Sequence, residues 1–181
     1  MRTWLGLMLL TLATAAAAQA AKPYGPDASR FNSGYEEPEV WQEQRDVEPP
    51  AYPREENLRE FYVGAIATNT YYVDLSSITL GTDRVVRYVL VVKTSGGATN
   101  VSFEGINCAE LRWKLYASGR SDKAWTKSRV VRNDWRLIEN KSLNPYHAAL
   151  SRNYFCPMGN AIVTADEGRN ALQQGKHPGA N

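Results

Sequence analysis
The chain has 181 residues, of which 43% are hydrophobic, and a formal charge of +2. Once a leader and a polar arm are set aside, about 100 to 120 residues remain, enough for one hydrophobic core and not two. Two cysteines and two scattered histidines, His147 and His177, fall short of the three or four ligands that a metal centre needs.

The first element is a leader. The opening MRTWLGLMLLTLATAAAAQA carries one charge, Arg2, followed by an apolar run from Trp4 to Ala13 and then small residues. That run is shorter than the roughly 20 apolar residues a membrane span requires. Ala18, Gln19 and Ala20 form a small-residue cleavage site, so we expect an exported protein cut after Ala20 and held in an oxidising compartment. No cysteine lies at that junction to take a lipid. No later window is apolar enough for a transmembrane span.

An acidic arm follows, over residues 21–57. Residues 21–60 hold ten acids against five bases and six of the nine prolines, whereas residues 61–181 hold fifteen bases against nine acids. Such a composition buries too little apolar surface to offset its ordering entropy, and reads as largely disordered. Residues 40–53 read as extended, with Trp41 and Tyr52 able to dock on the domain. Three arrangements stay open: the arm on the basic face, that face against an external anion, or both solvated.

The globular domain is expected over 58–175. Strands are predicted at 60–66 (EFYVGAI), 71–74 (YYVD) and 76–80. RVVRYVLVVK at 84–93 is dense in β-branched residues and suits a central position with both faces covered. Gly96 and Gly97 mark a turn. In the alternating stretch 100–106, Val101, Phe103 and Ile106 are apolar while Ser102 and Glu104 are polar. In 110–118, Leu111, Trp113, Leu115 and Ala117 read as one face. Short strands are expected at 125–131 and 134–138. The pattern is then helical: Asn144 and Pro145 signal a helix start, and Tyr146, Ala149, Leu150 and Tyr154 recur at helical spacing up to Cys156. Thr164 and Glu167 form a capping-box pattern for a last helix stopped at Gly175, with a flexible tail over 176–181. The fold class is therefore α+β: an antiparallel sheet of five or six strands with a helix at its C-terminal end.

In an oxidising compartment Cys108 and Cys156 are expected to pair, pinning that helix to the sheet. A loop of that size is worth roughly 4 kcal/mol in the chain-entropy treatment. Pairing leaves no thiol for chemistry.

The other candidates for chemistry are few. Asp74 precedes Ser76 and reads as a turn cap. Glu104 reads as a solvent-facing strand residue, or as a cross-sheet partner of Arg87 or Arg112. His147 reads as a packed or surface histidine. A hydrolase would need Asp74, Glu104 and His147 to converge. No nucleophile elbow, HExxH or phosphate-binding glycine loop occurs, so we expect no enzyme and no cofactor. Residues 120–136 interleave Arg120, Lys123, Lys127, Arg129, Arg132 and Arg136 with Trp125 and Trp135. This is a candidate anion-binding set or a solvated strand face. An anionic envelope component, or another envelope protein, fits it better than nucleic acid, which is not expected as a partner.

The runs VDLSSITLGTDRVVRYVLVVKTSGGATNVSFEGINCAELRWKLYASG, WTKSR, WRLI and NYFC resemble the cryptic neisserial protein-like family of exported proteobacterial proteins. That resemblance implies an envelope protein without an assigned activity. The layout of D-x-x-S-I, a long strand, a cysteine after an alternating strand, W-x-x-I and a final cysteine is similar to the surface adhesin E family. It implies a disulfide-pinned antiparallel sheet and a binding, adhesin-like role.

Overall fold
The computed structural model describes residues 41–129, 134–139 and 145–180. Trp41–Asn181 forms one compact unit. The described residues contain eight strands, β1 (Leu58–Glu60), β2 (Thr70–Asp74), β3 (Thr79–Leu80), β4 (Val85–Lys93), β5 (Thr99–Asn107), β6 (Arg112–Gly119), β7 (Trp125–Lys127) and β8 (Arg136–Leu137). Two α-helices, α1 (Pro145–Leu150) and α2 (Ala165–Gln174), follow.

The sheet is antiparallel, in the order β1-β2-β4-β5-β6-β7, with β3 also on β4 and β8 also on β6. The expected five or six strands become eight because two edges are shared. β2 and β3 pair with successive parts of β4, and β7 and β8 with different ends of β6. β4 is central, as its β-branched run implied, and seven of its nine residues are buried. It pairs with β5 from Val85↔Asn107 to Lys93↔Thr99. The joining turn is closed by Thr94 and Ala98, and Gly97 at φ 84° takes a left-handed conformation open to glycine at little cost.

Both faces of the sheet are covered, and the period of two decides what each holds. Val86, Tyr88, Leu90 and Ile106 meet the helices through Leu150, Tyr154, Phe155 and Leu172. Val89, Val91, Phe103 and Ala117 form the opposite cluster, against Val47, Leu58 and Trp125. Of the apolar residues of β5, Val101 and Phe103 join this second cluster and Ile106, at the other parity, the first. The single face expected for Leu111, Trp113, Leu115 and Ala117 fails. Phe103 pairs with Ala117 but Glu104 with Leu115, so Tyr116 is the extra residue of a β-bulge that reverses the alternation. Leu111 lies in the preceding turn, half exposed, at φ 51°.

The predicted strand 60–66 pairs only over Leu58–Glu60. One further hydrogen bond, Phe61 N–H to Tyr71 O at 3.0 Å, precedes its departure from the sheet. The strand predicted at 125–131 is observed over Trp125–Lys127; residues 130 and 131 lie outside the described set. Asn144 also lies outside it. From Pro145 the helix runs as α1 and continues as a π-helical stretch, Ser151–Phe155. The Cys108–Cys156 disulfide joins the end of this stretch to the end of β5, with the Cα atoms 5.5 Å apart. Thr164 caps α2 by accepting from the Glu167 N–H, and Gly175 ends it in a left-handed conformation. Inside α2, Gly168 is required by packing: a Cβ there would lie 2.8 Å from Ile162 Cδ1. The tail read as flexible is tied back, with His177 N–H on Asn153 O at 2.8 Å and His177 Nε2 beside Glu167 Oε1 at 2.8 Å.

Residues 41–57, read by composition as the end of the arm, lie on the face opposite the helices. Trp125 Nε1 donates to Pro50 O at 2.8 Å and Trp41 Nε1 to Asp83 O at 2.8 Å. The Tyr52 ring packs against Trp125 at 5.3 Å. Its hydroxyl sits where a Cβ on Gly119 would come within 2.8 Å, so glycine at that position admits the arm.

Candidate functional site
β5 turns Ser102, Glu104 and Ile106 toward the helices. In the sheet interior this leaves a carboxyl group only 3% exposed. Burial of a charge is tolerated when hydrogen bonds replace water. Glu104 Oε1 accepts from Ser102 Oγ at 2.7 Å. Glu104 Oε2 accepts from Tyr88 OH at 3.2 Å and lies 2.9 Å from His147 Nε2. A carboxylate only accepts, so in this contact His147 Nε2 carries a proton. The imidazole is itself 3% exposed. It stacks on Trp113 at 3.7 Å and 22°, with Tyr146 at 4.2 Å on another side. Tyr88 directly opposes Glu104 across β4 and β5. Burial, with the Glu104 charge beside it, drives the Tyr88 phenol well above its ordinary pKa, so it stays a neutral donor. Burial and then Glu104 push the Tyr146 phenol up in the same way.

Ser102, Glu104, Trp113 and Tyr146 of this cluster also line a cavity of about 450 Å³, whereas Tyr88 and His147 do not. Its lining combines the aromatic Tyr71, Trp113 and Tyr146 with the polar Asn69, Asn100 and Ser118. Tyr71 and Tyr146 stack at 5.4 Å and 27°. Among the described residues lining it, Glu104 is the one charged side chain.

The Asp74, Glu104 and His147 constellation therefore forms only in part. Glu104 and His147 meet across 43 positions of sequence. Asp74 does not join them. Its Oδ1 accepts from Ser76 N–H at 2.8 Å and Ser76 Oγ at 2.6 Å, as a turn cap does. Alternation along β2 also sets it on the Tyr72 side, away from Tyr71 and Val73. The reading of Glu104 as solvent-facing, or as a partner of Arg87 or Arg112, is corrected. Arg87 points to the other face and forms a buried two-pronged pair with Asp83, at 3.0 and 2.6 Å. Arg112 sits 3.7 Å from Glu110. The sequence held one usable signal: Glu104 shares parity with Ile106, and β5 follows a strand covered on both faces.

Arg120 and Lys123 lie between β6 and β7, Lys127 ends β7 and Arg136 opens β8. Arg120 pairs with Asp122 at 3.0 Å, and Lys127 with Glu48 of the arm. Arg136 lies over the Trp113 ring at 5.3 Å. Lys123 occupies a turn at φ 61°, Arg129 is exposed, and Arg132 lies outside the described residues. Sequence reasoning missed Glu43. This residue takes hydrogen bonds from Lys114 Nζ at 3.0 Å, Tyr116 OH at 2.9 Å and Trp135 Nε1 at 3.1 Å. It lines a second cavity of about 490 Å³, between the arm and β6. No signal in the arm's composition separates Glu43 from its acidic neighbours.

Among the described residues no group of three or more His, Cys, Asp and Glu side chains is placed to hold a metal ion. No described helix is long and apolar enough to cross a membrane.

The fold defines an α+β protein: an antiparallel sheet to which a disulfide pins the helical run from Pro145 to Phe155, with a cleft lined by the sheet and Tyr146 of that run. The chain belongs to the CNP1-like family, which it matches over residues 36–173. A search of curated proteins and a search of solved structures return no match. The similarity of layout to surface adhesin E thus rests on the sequence pattern alone.

Proposed function
We propose that this is an exported Gram-negative envelope protein, processed after Ala20, that works in the periplasm or outer envelope as a non-enzymatic binding module. The cleft above Glu104 is its ligand site. The single observation that carries this reading is that cleft, of about 450 Å³, in which Tyr71, Trp113 and Tyr146 stand among hydroxyl, amide and carboxyl groups. Concave sites that combine aromatic side chains with placed polar groups are where small ligands bind. The Cys108–Cys156 disulfide supports an oxidising compartment. Purified protein incubated with isolated outer-membrane and cell-wall fractions should retain a component at micromolar concentration. Retention of nothing overturns the reading.

A second reading is favoured by one contact, the 2.9 Å pair of Glu104, which lines the cleft, with His147, which does not. Such a pair can exchange protons with a bound substrate. Here, however, three donors hold the carboxylate and the imidazole ring is stacked between Trp113 and Tyr146, an arrangement suited to rigidity. A hydrolase of this kind would release soluble products from envelope fractions and lose that activity in Glu104→Gln. The binding reading expects no turnover from either protein.

A further inference from the structure
We propose that the cleft takes a neutral saccharide, bound through hydrogen bonds between its hydroxyls and the side chains of Asn69, Asn100, Ser102 and Ser118. This rests on the binding-module reading and names its ligand class. Under the helices the sheet face is apolar, through Val86, Tyr88, Leu90 and Ile106. Toward the β4–β5 turn the same face becomes polar. Asn100 lies opposite Val92, and Ser102 lies between Leu90 and Ser118. Asn100 and Ser102 face the same way about 7 Å apart along the strand, and Ser102 and Ser118 stand about 5 Å apart across it. Asn69, just before β2, and Thr99 complete the uncharged polar lining.

Each of these groups both donates and accepts: an amide has N–H and C=O, and a hydroxyl has O–H and lone pairs. Sugar hydroxyls have the same double capacity. The side chains of Asn69, Thr99, Asn100 and Ser118 hydrogen-bond to no other described residue, so they are open to a ligand. Ser102 donates to Glu104 Oε1 at 2.7 Å and keeps its acceptor capacity. Glu104 itself is 3% exposed, with its oxygens engaged by Ser102, Tyr88 and His147, so the uncharged side chains are what a ligand meets. The described lining contains no lysine, arginine or histidine, and an anionic group would find no cation there. An extended peptide adds to an open strand edge. β4, β5 and β6 are each paired on both sides and offer none. Trp113 and Tyr146 are half-buried, which leaves part of each ring to contact the C–H groups of a sugar.

Two envelope sources share this chemistry: acetamido sugars of the cell wall, and plain hexoses of an outer polysaccharide. An amide-detected NMR titration of the purified disulfide-bonded protein distinguishes them, with N,N′-diacetylchitobiose for the first and cellobiose and maltose for the second. At least one of these should shift the Asn69 and Asn100 amide signals in a saturable way. The uronic acid counterpart of that sugar should bind at least about tenfold more weakly, since its carboxylate gains no partner. This comparison needs no mutation. Asn100→Ala combined with Ser118→Ala should weaken binding about tenfold, the loss of two neutral hydrogen bonds. Both residues are exposed, so the doubly substituted protein should keep its melting temperature. No saturable shift with any of the three sugars overturns the assignment. So do shifts confined to residues outside the cleft, and equal affinity for the uronic acid. The two proposals fail separately. An envelope component retained by the protein but displaced by none of the sugars leaves the binding reading standing and removes the saccharide. Retention of nothing, with no sugar bound, removes both.

Discussion
Asp83 and Arg87 are the pair whose loss the fold should feel most. Both side chains are nearly inaccessible, and Arg87 Nε has no hydrogen-bond partner, so the two-pronged contact with Asp83 is what compensates its burial. Burial by itself raises the Asp83 pKa. The Arg87 hydrogen bonds outweigh it, aided by the Gln44 and Val85 N–H groups, and hold it below the ordinary carboxylate value. A depressed folded-state pKa stabilises above the unfolded value of about 3.9, and that stabilisation fades as pH falls through the folded value. We therefore expect urea-unfolding stability to carry an acid-side loss below about pH 4 that Asp83→Asn removes. At neutral pH, Asp83→Asn should cost about 3–5 kcal/mol, because it strands a buried guanidinium. A cost under 1 kcal/mol in the same titration would show the pair to be dispensable. Glu104 is the contrasting residue. Its partners come from β4, β5 and α1, and no local sequence rule joins positions 104 and 147.

At the scale of elements, the disulfide links two pieces that fold by different periods. Cys108 closes a strand of period two and Cys156 closes a helical run, with 48 positions between them. Cross-linking a loop of this length removes unfolded-state freedom worth roughly 4 kcal/mol. Cys108→Ser should accordingly lower Tm by several degrees or more under oxidising conditions, and differential scanning calorimetry reads it directly. An unchanged Tm would mean that Leu150, Tyr154 and Phe155 hold the helix to the sheet unaided. The two elements were legible separately, from alternation and from helical spacing. The β-bulge at Tyr116 was not: an extra residue in a strand leaves the composition unchanged and shows only in the register with the partner strand.

On the whole-molecule scale, the arm is a structural layer. Residues 41–57 place Val47 and Tyr52 over the Val89, Val91, Phe103 and Trp125 face and set Glu43 among Lys114, Tyr116 and Trp135. A chain beginning at Leu58 uncovers that apolar face. Compared with one beginning at Trp41, it should melt at least about 5 °C lower, the equivalent of about 1–2 kcal/mol in a domain of this size. It should also bind more of a hydrophobic dye. Equal melting temperatures for the two chains would reduce the arm to a passenger.

The sequence by itself determined most of the strands, their antiparallel order, the cysteine partnership and the caps of α2. Each is written in local periodicity, in a capping side chain, or in there being only two sulfurs to pair. Only the tertiary structure decided which polar residues would be buried and against what. Composition left open whether residues 41–57 dock, and gave Glu104 as too polar to bury. Both readings treat a residue alone in water. In the fold, indole, hydroxyl and imidazole donors brought from distant parts of the chain replace that water, and such replacement becomes visible only once the strands and helices are packed.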